Sequence, residues 1–150
     1  MRIEDSIGVV LKGKIQNKIL SITPGQTVFE ALEMMAHFDI GALLVCSDDH
    51  LLGILSERDY ARKCALLGHT SKETKVEEIM TSPVLSVTPK HTVDECLALM
   101  TEHHFRHLPV LEHDRVVGLV SIGDLVKWVI HSQQQAIGTL ESYITGGYQA

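Results

Sequence analysis

The chain has 150 residues, of which 45% are hydrophobic and 21% are charged, a composition that fits one compact domain and excludes a disordered chain. The net charge of −6 and the pI near 5.8 argue against duplex nucleic acid as a partner, because phosphate binding needs a basic face. A small anionic ligand in a local cationic pocket stays compatible with this charge.

The N-terminus carries acidic residues and no long apolar core, so we do not expect it to act as a secretory signal. No stretch reaches the roughly 18 apolar residues of a membrane span. Cys46, Cys64 and Cys96 lie far apart in apolar runs, which favours three reduced thiols in a core. We therefore expect a soluble cytoplasmic protein without a membrane partner.

An internal repeat runs through most of the chain. An offset of 65 residues, without a gap, places Thr23 on Thr88 and the Gly-x-x-Ser-x-x-Asp sequence at 53–59 on the one at 118–124. We predict one repeat over 1–70 (core about 15–67) and a second over 71–150 (core about 77–135), which ends in a tail helix.

The elements of each copy follow in the order β-α-β-β-α. An extended segment (18–23 or 84–88) ends at a Thr-Pro, and a Thr-x-x-Glu capping box at 27–30 or 92–95 opens a helix that stops near 40–41 or 105–106. Asp-rich links join two strands into a hairpin, at 42–46 and 51–55 or at 108–111 and 116–120. A last helix begins near Glu57 or Gly123, and its apolar face in copy two includes Leu125, Val126, Val129 and Ile130.

The polar segment 68–75 is the predicted connector, and a short lead-in helix is predicted over 76–80. The tail places Leu140, Tyr143 and Ile144 at helical spacing before Gly146, Gly147 and Tyr148, which predicts a short docked helix. One repeat of about 55 residues buries little apolar surface alone. We expect the two copies to pack as a pseudo-two-fold pair with two clefts between them.

Each strand-to-helix corner is suited to holding a nucleotide. Ser56 or Ser121 ends the strand, and the free N–H groups of the following helix attract an anion. Asp59 or Asp124 in the first turn can accept hydrogen bonds from both hydroxyls of a ribose. The competing interpretation is a Ser N-cap with an acidic first turn, worth about 1 kcal/mol of helix stability.

The repeated Gly-x-x-Ser-x-x-Asp, together with Thr-Pro and the His-Leu-Pro-Val strand at 107–110, resembles a pair of CBS domains, the module named after cystathionine β-synthase. The resemblance covers nearly the whole chain and is closest to stand-alone CBS-pair proteins. It implies an α/β fold of two tandem β-α-β-β-α CBS repeats packed as a pseudo-two-fold Bateman module. It also implies an adenosine-containing ligand (AMP, ADP, ATP, NAD(H) or S-adenosylmethionine, with AMP or NAD(H) favoured) and a homodimer.

The same resemblance implies two nucleotide sites, each built from both copies. In site 1, Asp124 holds the ribose, and the remaining residues surround adenine and phosphate: Thr23, Val28, Arg106, His107, Leu108, Pro109, Ser121 and Gly123. Site 2 places Asp59 on the ribose, together with Ala42, Ser56, Arg58, Thr88 and Val93. The sites are unequal, because Gly41 and Ala42 replace Arg106 and His107, whereas Arg58 replaces Gly123.

Other chemistries have weaker signals. His103 and His104 are adjacent, so they point in different directions on a helix and fit a solvated helix end better than a metal site with His107. Neither a Gly-x-Ser-x-Gly sequence nor a P-loop occurs, so no catalytic residue is assigned. Lys12, Lys14 and Lys18 fit a solvated face or a contact with a partner subunit's phosphate, and Trp128 fits the core or a subunit contact.

The sequence therefore predicts a regulatory sensor that binds an adenine nucleotide and signals to a separate protein, with no catalytic cofactor. Two alternatives stay open. One is a nucleotide hydrolase that uses the Arg58 cleft, and the other is a purely structural dimerisation module.

Overall fold

The structure is a computed structural model that describes residues 3–14 and 19–144. Over these residues the chain forms the following helices and strands: α1 (Ile7–Lys12), β1 (Ser21–Ile22), α2 (Val28–Phe38), β2 (Ala42–Ser47), β3 (His50–Ser56), α3 (Glu57–Tyr60), α4 (Val76–Ile79), α5 (Val93–His103), β4 (His107–Glu112), β5 (Arg115–Ser121) and α6 (Ile122–Ile144). A π-helical turn over Ala61–Ala65 continues α3. Lys18 and the residues 145–150 of the predicted tail lie outside the described residues.

Both predicted hairpins are confirmed, and they share one register. β2 pairs antiparallel with β3 so that Val45 faces Gly53, and β4 pairs with β5 so that Val110 faces Gly118. Each turn places two residues at positive φ, as in a type I′ hairpin; these residues are Asp48, Asp49, His113 and Asp114.

The extended segments before the hairpins differ between the copies. β1 runs parallel to β2, but its counterpart in copy two is a single bridge between Val87 and Val110. Val87 N donates to the Pro109 carbonyl, and Leu111 N donates to the Val87 carbonyl. The segment 84–88 therefore reaches the second sheet without adding a full strand.

The threonine N-caps of the predicted capping boxes start the two long helices of the repeats. The Thr27 hydroxyl accepts from Glu30 N, and the Thr92 hydroxyl accepts from Glu95 N, at 3.1 Å in both cases. α2 and α5 end before Asp39 and His104, both left-handed. The helices therefore stop two or three residues earlier than predicted.

The two short lead-in helices pack on the opposite repeats. The Asp5 carbonyl, before α1, accepts from Val93 N at 3.0 Å, and Ile7 N donates to the His91 carbonyl at 2.8 Å. The same contacts recur in the other half, where Val28 N donates to the Thr74 carbonyl and Val76 N donates to the Gln26 carbonyl. The lead-in helices thus obey an offset of 69, which carries Ile7 onto Val76.

Two hydrophobic cores result, and each takes residues from both sides of residue 70. The first contains α4 residues with those of the first repeat: Ile22, Val28, Ala31, Met35, Leu43, Val45, Leu55, Cys64, Val76 and Ile79. The second contains α1 residues with those of the second repeat: Ile3, Ile7, Val10, Leu11, Val87, Val93, Cys96, Met100, Leu108, Val110, Val120 and Leu125. The domain boundary at 70/71 stays a prediction, because α1 and α4 cross it.

The last helix breaks the symmetry. α6 has 23 residues and includes 140–144, so the described part of the predicted tail helix continues α6 instead of forming a short helix of its own. Leu125 is fully buried, but Val126 and Ile130 of the predicted apolar face are about half exposed. Of the helices that the structure describes, none is long and apolar enough to cross a membrane.

The three cysteines are all unpaired, as predicted: Cys64 and Cys96 are buried and Cys46 is half-buried.

Candidate functional site

One cleft of about 1120 Å³ lies between the two repeats. Its first wall comes from repeat 1 and its second from repeat 2, and the C-terminal end of α1 reaches into it. The lining residues are Val10, Leu11, Gly13, Lys14, Ile19, Leu20, Phe38, Asp39, Ile40, Gly41, Ala42, Leu44, His107, Gly118, Leu119, Ser121, Asp124, Lys127, Trp128 and His131. The repeat 1 side is mainly apolar, with Asp39 as its charged residue, and the repeat 2 side carries Asp124 and Lys127.

The corner between β5 and α6 holds the Asp124 carboxylate in a fixed position. Ser121 N donates to Asp124 Oδ2 at 2.8 Å, and Asp124 N donates to Ser121 Oγ at 3.1 Å. The Asp124 side chain is 23% exposed, so it faces the cleft while being largely removed from water. Gly123 lies beside it, and a Cβ there would meet Ser121 Oγ at 3.6 Å.

Lys14 is a site residue that sequence reasoning missed. Its Nζ donates to Asp124 Oδ2 and to the Leu119 carbonyl, both at 2.9 Å. A solvated face or a partner's phosphate was expected for Lys14, and the structure places it inside the cleft of its own chain. The offset of 69 was the missing signal, because it puts the end of α1 over β5 of the second repeat.

Two titratable groups of the cleft have shifted pKa values. Burial alone would raise the pKa of Asp124, but the hydrogen bond from Ser121 N and the Lys14 ammonium lower it below its usual value. Burial lowers the pKa of His107, Asp124 opposes this shift, and Lys14 and Arg106 add to it. His107 is therefore a neutral imidazole near pH 7, and it can donate or accept a hydrogen bond.

Several residues predicted for site 1 have other roles. Val28 is 0% exposed and Leu108 is 0% exposed, so both side chains belong to the cores and not to a cleft wall. Pro109 is buried as well, and the Thr23 hydroxyl, on the exposed side, donates to Gln26 Oε1. Val28, the first residue of α2, and Leu108, on β4, point their side chains into the cores, whereas Thr23 lies at the surface.

The apolar wall comes from other residues of repeat 1. Ile19, Leu20, Phe38, Ile40 and Leu44 line the cleft opposite Asp124. Ala42, predicted for site 2, lies on this same wall.

Arg106 is exposed and is not among the lining residues. Its carbonyl accepts from Ile122 N, so its backbone fixes the start of α6. The cations that line the cleft are instead Lys14 and Lys127.

The second corner satisfies its carboxylate internally. Asp59 Oδ2 accepts from Ser56 N at 3.0 Å and from Ser56 Oγ at 3.1 Å. Asp59 Oδ1 accepts from Thr81 Oγ1 at 3.2 Å and lies 3.0 Å from Lys63 Nζ. The Asp59 side chain is only 12% exposed, half the value at Asp124. The two corners are therefore unequal, although their motifs match.

Of the other residues predicted for site 2, Thr88 and Val93 have their contacts away from Asp59. Val93 is 0% exposed, in the second core, and Thr88 is exposed and bonds through its N and Oγ1 to His91 Nδ1. Arg58 is exposed beside Ser56 and Asp59. Val93, like Val28, is the first residue of its helix, and its side chain points into the core instead of lining a cleft.

No group of three or more potential metal ligands occurs among the described residues. His103 and His104 are exposed at the end of α5, as expected for a solvated helix end, and the His103 ring stacks on Phe105 at 5.9 Å.

Comparison with known proteins identifies the family. The CBS domain model matches twice, over 13–65 and 76–131. The chain is 40% identical over 131 residues to the mitochondrial CBS domain-containing protein CBSX3 of Arabidopsis thaliana, which covers 84% of this chain and 64% of that protein. It is 30% identical to the CBS domain-containing protein YhcV of Bacillus subtilis, with 77% of this chain and 81% of that protein covered.

A similar solved structure also belongs to a CBS-domain protein. A CBS-domain protein of Burkholderia ambifaria, a candidate signal-transduction protein, superposes with a TM-score of 0.82 at 50% identity, covering 85% of this chain and 96% of that one. All three relatives are CBS-domain proteins, and this chain spans 64% of the length of the plant protein. The chain belongs to the CBS domain family, as a pair of CBS repeats arranged like a Bateman module.

Proposed function

We propose that this protein is a regulatory module that binds an adenosine-containing ligand in the Asp124 cleft and passes its occupancy to a separate protein. The observation that carries the proposal is the Asp124 carboxylate, which is held by Ser121 and faces a cleft of about 1120 Å³ with an apolar wall. This volume is ample for a nucleotide, because small-molecule sites commonly span about 300–1000 Å³.

The ribose is the part of the ligand that Asp124 would hold. Oδ2 of Asp124 accepts from Ser121 and Lys14, while the structure gives Oδ1 no hydrogen-bond partner among the described residues. A free carboxylate oxygen in a partly desolvated cleft binds a hydroxyl donor well, because bonds to charged groups contribute about 1.5–3 kcal/mol. Adenine would then lie against Phe38, Ile40 and Leu44.

The phosphate would lie near Ser121 and the first turn of α6. A helix N-terminus favours an anion through its free N–H groups and its dipole. Lys14 and Lys127 supply positive charge along the same wall, and neutral His107 can donate one hydrogen bond. AMP or NAD(H) fits this arrangement, in which Asp124 would hold the ribose and a phosphate would lie near Ser121.

The Asp59 corner is a structural cap in this proposal. A ligand there would have to replace four interactions that Asp59 already makes with Ser56, Thr81 and Lys63. We expect it to bind adenosine ligands more weakly than the Asp124 cleft.

Signalling would follow from a difference in affinity. A ligand that touches both walls stabilises one relative orientation of the repeats, and it shifts the population only by its preference for that orientation. A homodimer, which the family resemblance predicts, would cover the exposed residues Val126, Ile130, Ile137 and Leu140 on α6. Sedimentation of the wild type and of Ile130→Asp measures this association.

The deciding experiment is calorimetric titration with AMP, ATP, NADH and S-adenosylmethionine. At least one of these should bind below about 1 mM. Asp124→Ala should weaken binding at least about tenfold, because it removes hydrogen bonds to a charged group. Asp59→Ala is the matched variant and should bind within about threefold of the wild type, because Asp59 keeps no oxygen free. Equal binding by the wild type and Asp124→Ala would overturn the ribose assignment.

The hydrolase alternative is tested with the same protein. Incubation with ATP or NAD, followed by chromatography of the nucleotides, should show no turnover that scales with protein concentration. Turnover that disappears in Asp59→Ala would replace the sensor by an enzyme.

A further inference from the structure

We propose that Lys14 is a built-in competitor for the ribose position, and that it selects phosphorylated adenosine ligands over the neutral nucleoside. This inference rests on the proposed function of the Asp124 cleft. It assigns to one lysine at the end of α1 a specificity role toward the phosphate of the ligand.

The Lys14 ammonium group lies on Oδ2 of Asp124, the oxygen that the second ribose hydroxyl would use. Nζ lies 2.9 Å from Asp124 Oδ2 and also donates to the Leu119 carbonyl at 2.9 Å. The Lys14 and Asp124 side chains are 26% and 23% exposed. A ribose that uses both oxygens of Asp124 therefore has to displace the ammonium group from a partly desolvated ion pair.

The position of Lys14 is fixed by the packing of α1. Leu11, in the last turn of α1, lies against Gly118, where a Cβ would come within 2.6 Å of Leu11 Cδ2. Trp128 Nε1 donates to Asp5 Oδ2 at 2.8 Å and ties the start of α1 to α6. Gly13 also faces the Trp128 ring, because a Cβ at Gly13 would lie 3.3 Å from Cζ3 of that ring. The backbone before Lys14 is thus held against the second repeat, and only its flexible side chain needs to move.

The displaced ammonium group needs a new partner, and only some ligands supply one. It has three donors, of which the Leu119 carbonyl satisfies one. A phosphate near Ser121 offers an anion for the remaining donors, so a nucleotide replaces the ion pair it breaks. Adenosine offers no anion, so its binding breaks the ion pair between Lys14 and Asp124 and leaves the ammonium group without a new anionic partner. This difference makes Lys14 a discriminator between nucleotide and nucleoside.

The test compares AMP with adenosine by calorimetry on the wild type, Lys14→Met and Lys12→Met. Lys12 is the matched control, because it lies two residues away on the exposed side of α1. In Lys14→Met the ratio of AMP affinity to adenosine affinity should fall by about tenfold or more, through weaker AMP binding and unchanged or tighter adenosine binding. Lys12→Met should keep the wild-type ratio. An unchanged ratio in Lys14→Met refutes the proposal.

A second measurement needs no ligand. Lysine acylation by an N-hydroxysuccinimide ester, read out by peptide mass spectrometry, should modify Lys14 several times more slowly than Lys12 in the wild type. Asp124→Asn should bring Lys14 to the rate of Lys12. Equal rates in the wild type would also refute the proposal, because Lys14 would then not hold Asp124 in solution.

The two proposals fail in different ways. If neither AMP nor adenosine binds the wild type, the nucleotide function is wrong and the selectivity of Lys14 falls with it. If both bind through Asp124 but Lys14→Met keeps the ratio, the function stands and the role of Lys14 is wrong. Trp128, the single tryptophan of the chain, lines the cleft, and its fluorescence verifies that each variant is folded.

Discussion

The glycine of the repeated Gly-x-x-Ser-x-x-Asp sequence has a packing role that can be measured. A Cβ at Gly118 would lie 2.6 Å from Leu11 Cδ2 and 2.9 Å from Leu11 Cδ1. A Cβ at Gly53 would lie 2.8 Å from Met80 Sδ and 2.9 Å from the Thr81 carbonyl oxygen. In both repeats the glycine therefore lets the opposite repeat's lead-in segment lie directly on a strand.

The size of the expected effect follows from what each Cβ meets. Gly118→Ala should destabilise the protein by about 1–2 kcal/mol, because Leu11 is a side chain that can rotate away at the cost of overpacking. Gly53→Ala should cost more, about 2–3 kcal/mol, because the Thr81 carbonyl belongs to the backbone and cannot rotate. Gly25→Ala is the control: nothing lies within 4 Å of its Cβ, so its effect should stay within about 0.5 kcal/mol.

Urea unfolding followed by far-UV circular dichroism measures these free energies. The double mutant Leu11→Ala with Gly118→Ala tests the contact itself. Leu11→Ala alone should cost about 2–5 kcal/mol, and the added methyl group at Gly118 should recover part of this loss. Additive effects, within about 0.5 kcal/mol, would show that Leu11 does not lie on β5 and would refute the exchanged packing of α1.

Three further predictions concern stability, reactivity and pH. Gly138→Ala on α6 should stabilise the protein by about 0.5–1 kcal/mol in urea, because an added Cβ meets nothing within 4 Å and alanine is the better helix former. Burial, with a smaller contribution from Glu95, raises the pKa of Cys96 to about 11, so Ellman's reagent at pH 8 should modify this thiol only after unfolding. The pKa of His107 is lowered in the folded state, so as the pH drops the unfolded chain binds the proton first. The free energy of unfolding should therefore fall as the pH drops through 6.5. Urea titrations at pH 7.5 and 5.5 measure this fall, and it should be smaller in His107→Gln.

Local chemistry was sufficient to predict most elements. Thr27 and Thr92 start α2 and α5 through the capping contacts that their Thr-x-x-Glu sequences predict. The aspartates at 48–49 and 114 take left-handed positions that few residues tolerate, so the hairpins were visible in the sequence. The C-terminal end of α6 could not be predicted in this way. The helix has 23 residues and continues through Gly138, a residue that often ends a helix.

The packing of the elements against one another was harder to predict. The predictions that Val28 and Val93 line a cleft depended on this packing. An apolar residue at the first position of a helix can face a cleft or a core, and the sequence does not distinguish the two for Val28 and Val93. The structure buries both, since α4 and α1 cover those helix starts. The same exchange brings Lys14 to Asp124, a contact that spans 110 residues and crosses the repeat boundary. A single offset of 65 could not reveal it, because α1 and α4 follow the offset of 69.

The two offsets explain why matching motifs give unequal corners. The segments that contact the two corners differ in sequence. Lys14, which follows α1, contacts Asp124, and Thr81, which follows α4, contacts Asp59. Thr81 and Lys63 both contact Oδ1 of Asp59 while Ser56 holds Oδ2, so both oxygens of this carboxylate already have partners. Lys14 reaches Asp124 by a flexible chain and holds one oxygen, which a ligand with its own anion can compete for. Identical Ser-x-x-Asp corners therefore differ in the exposure and hydrogen bonding of their carboxylates because the segments that lie over them differ.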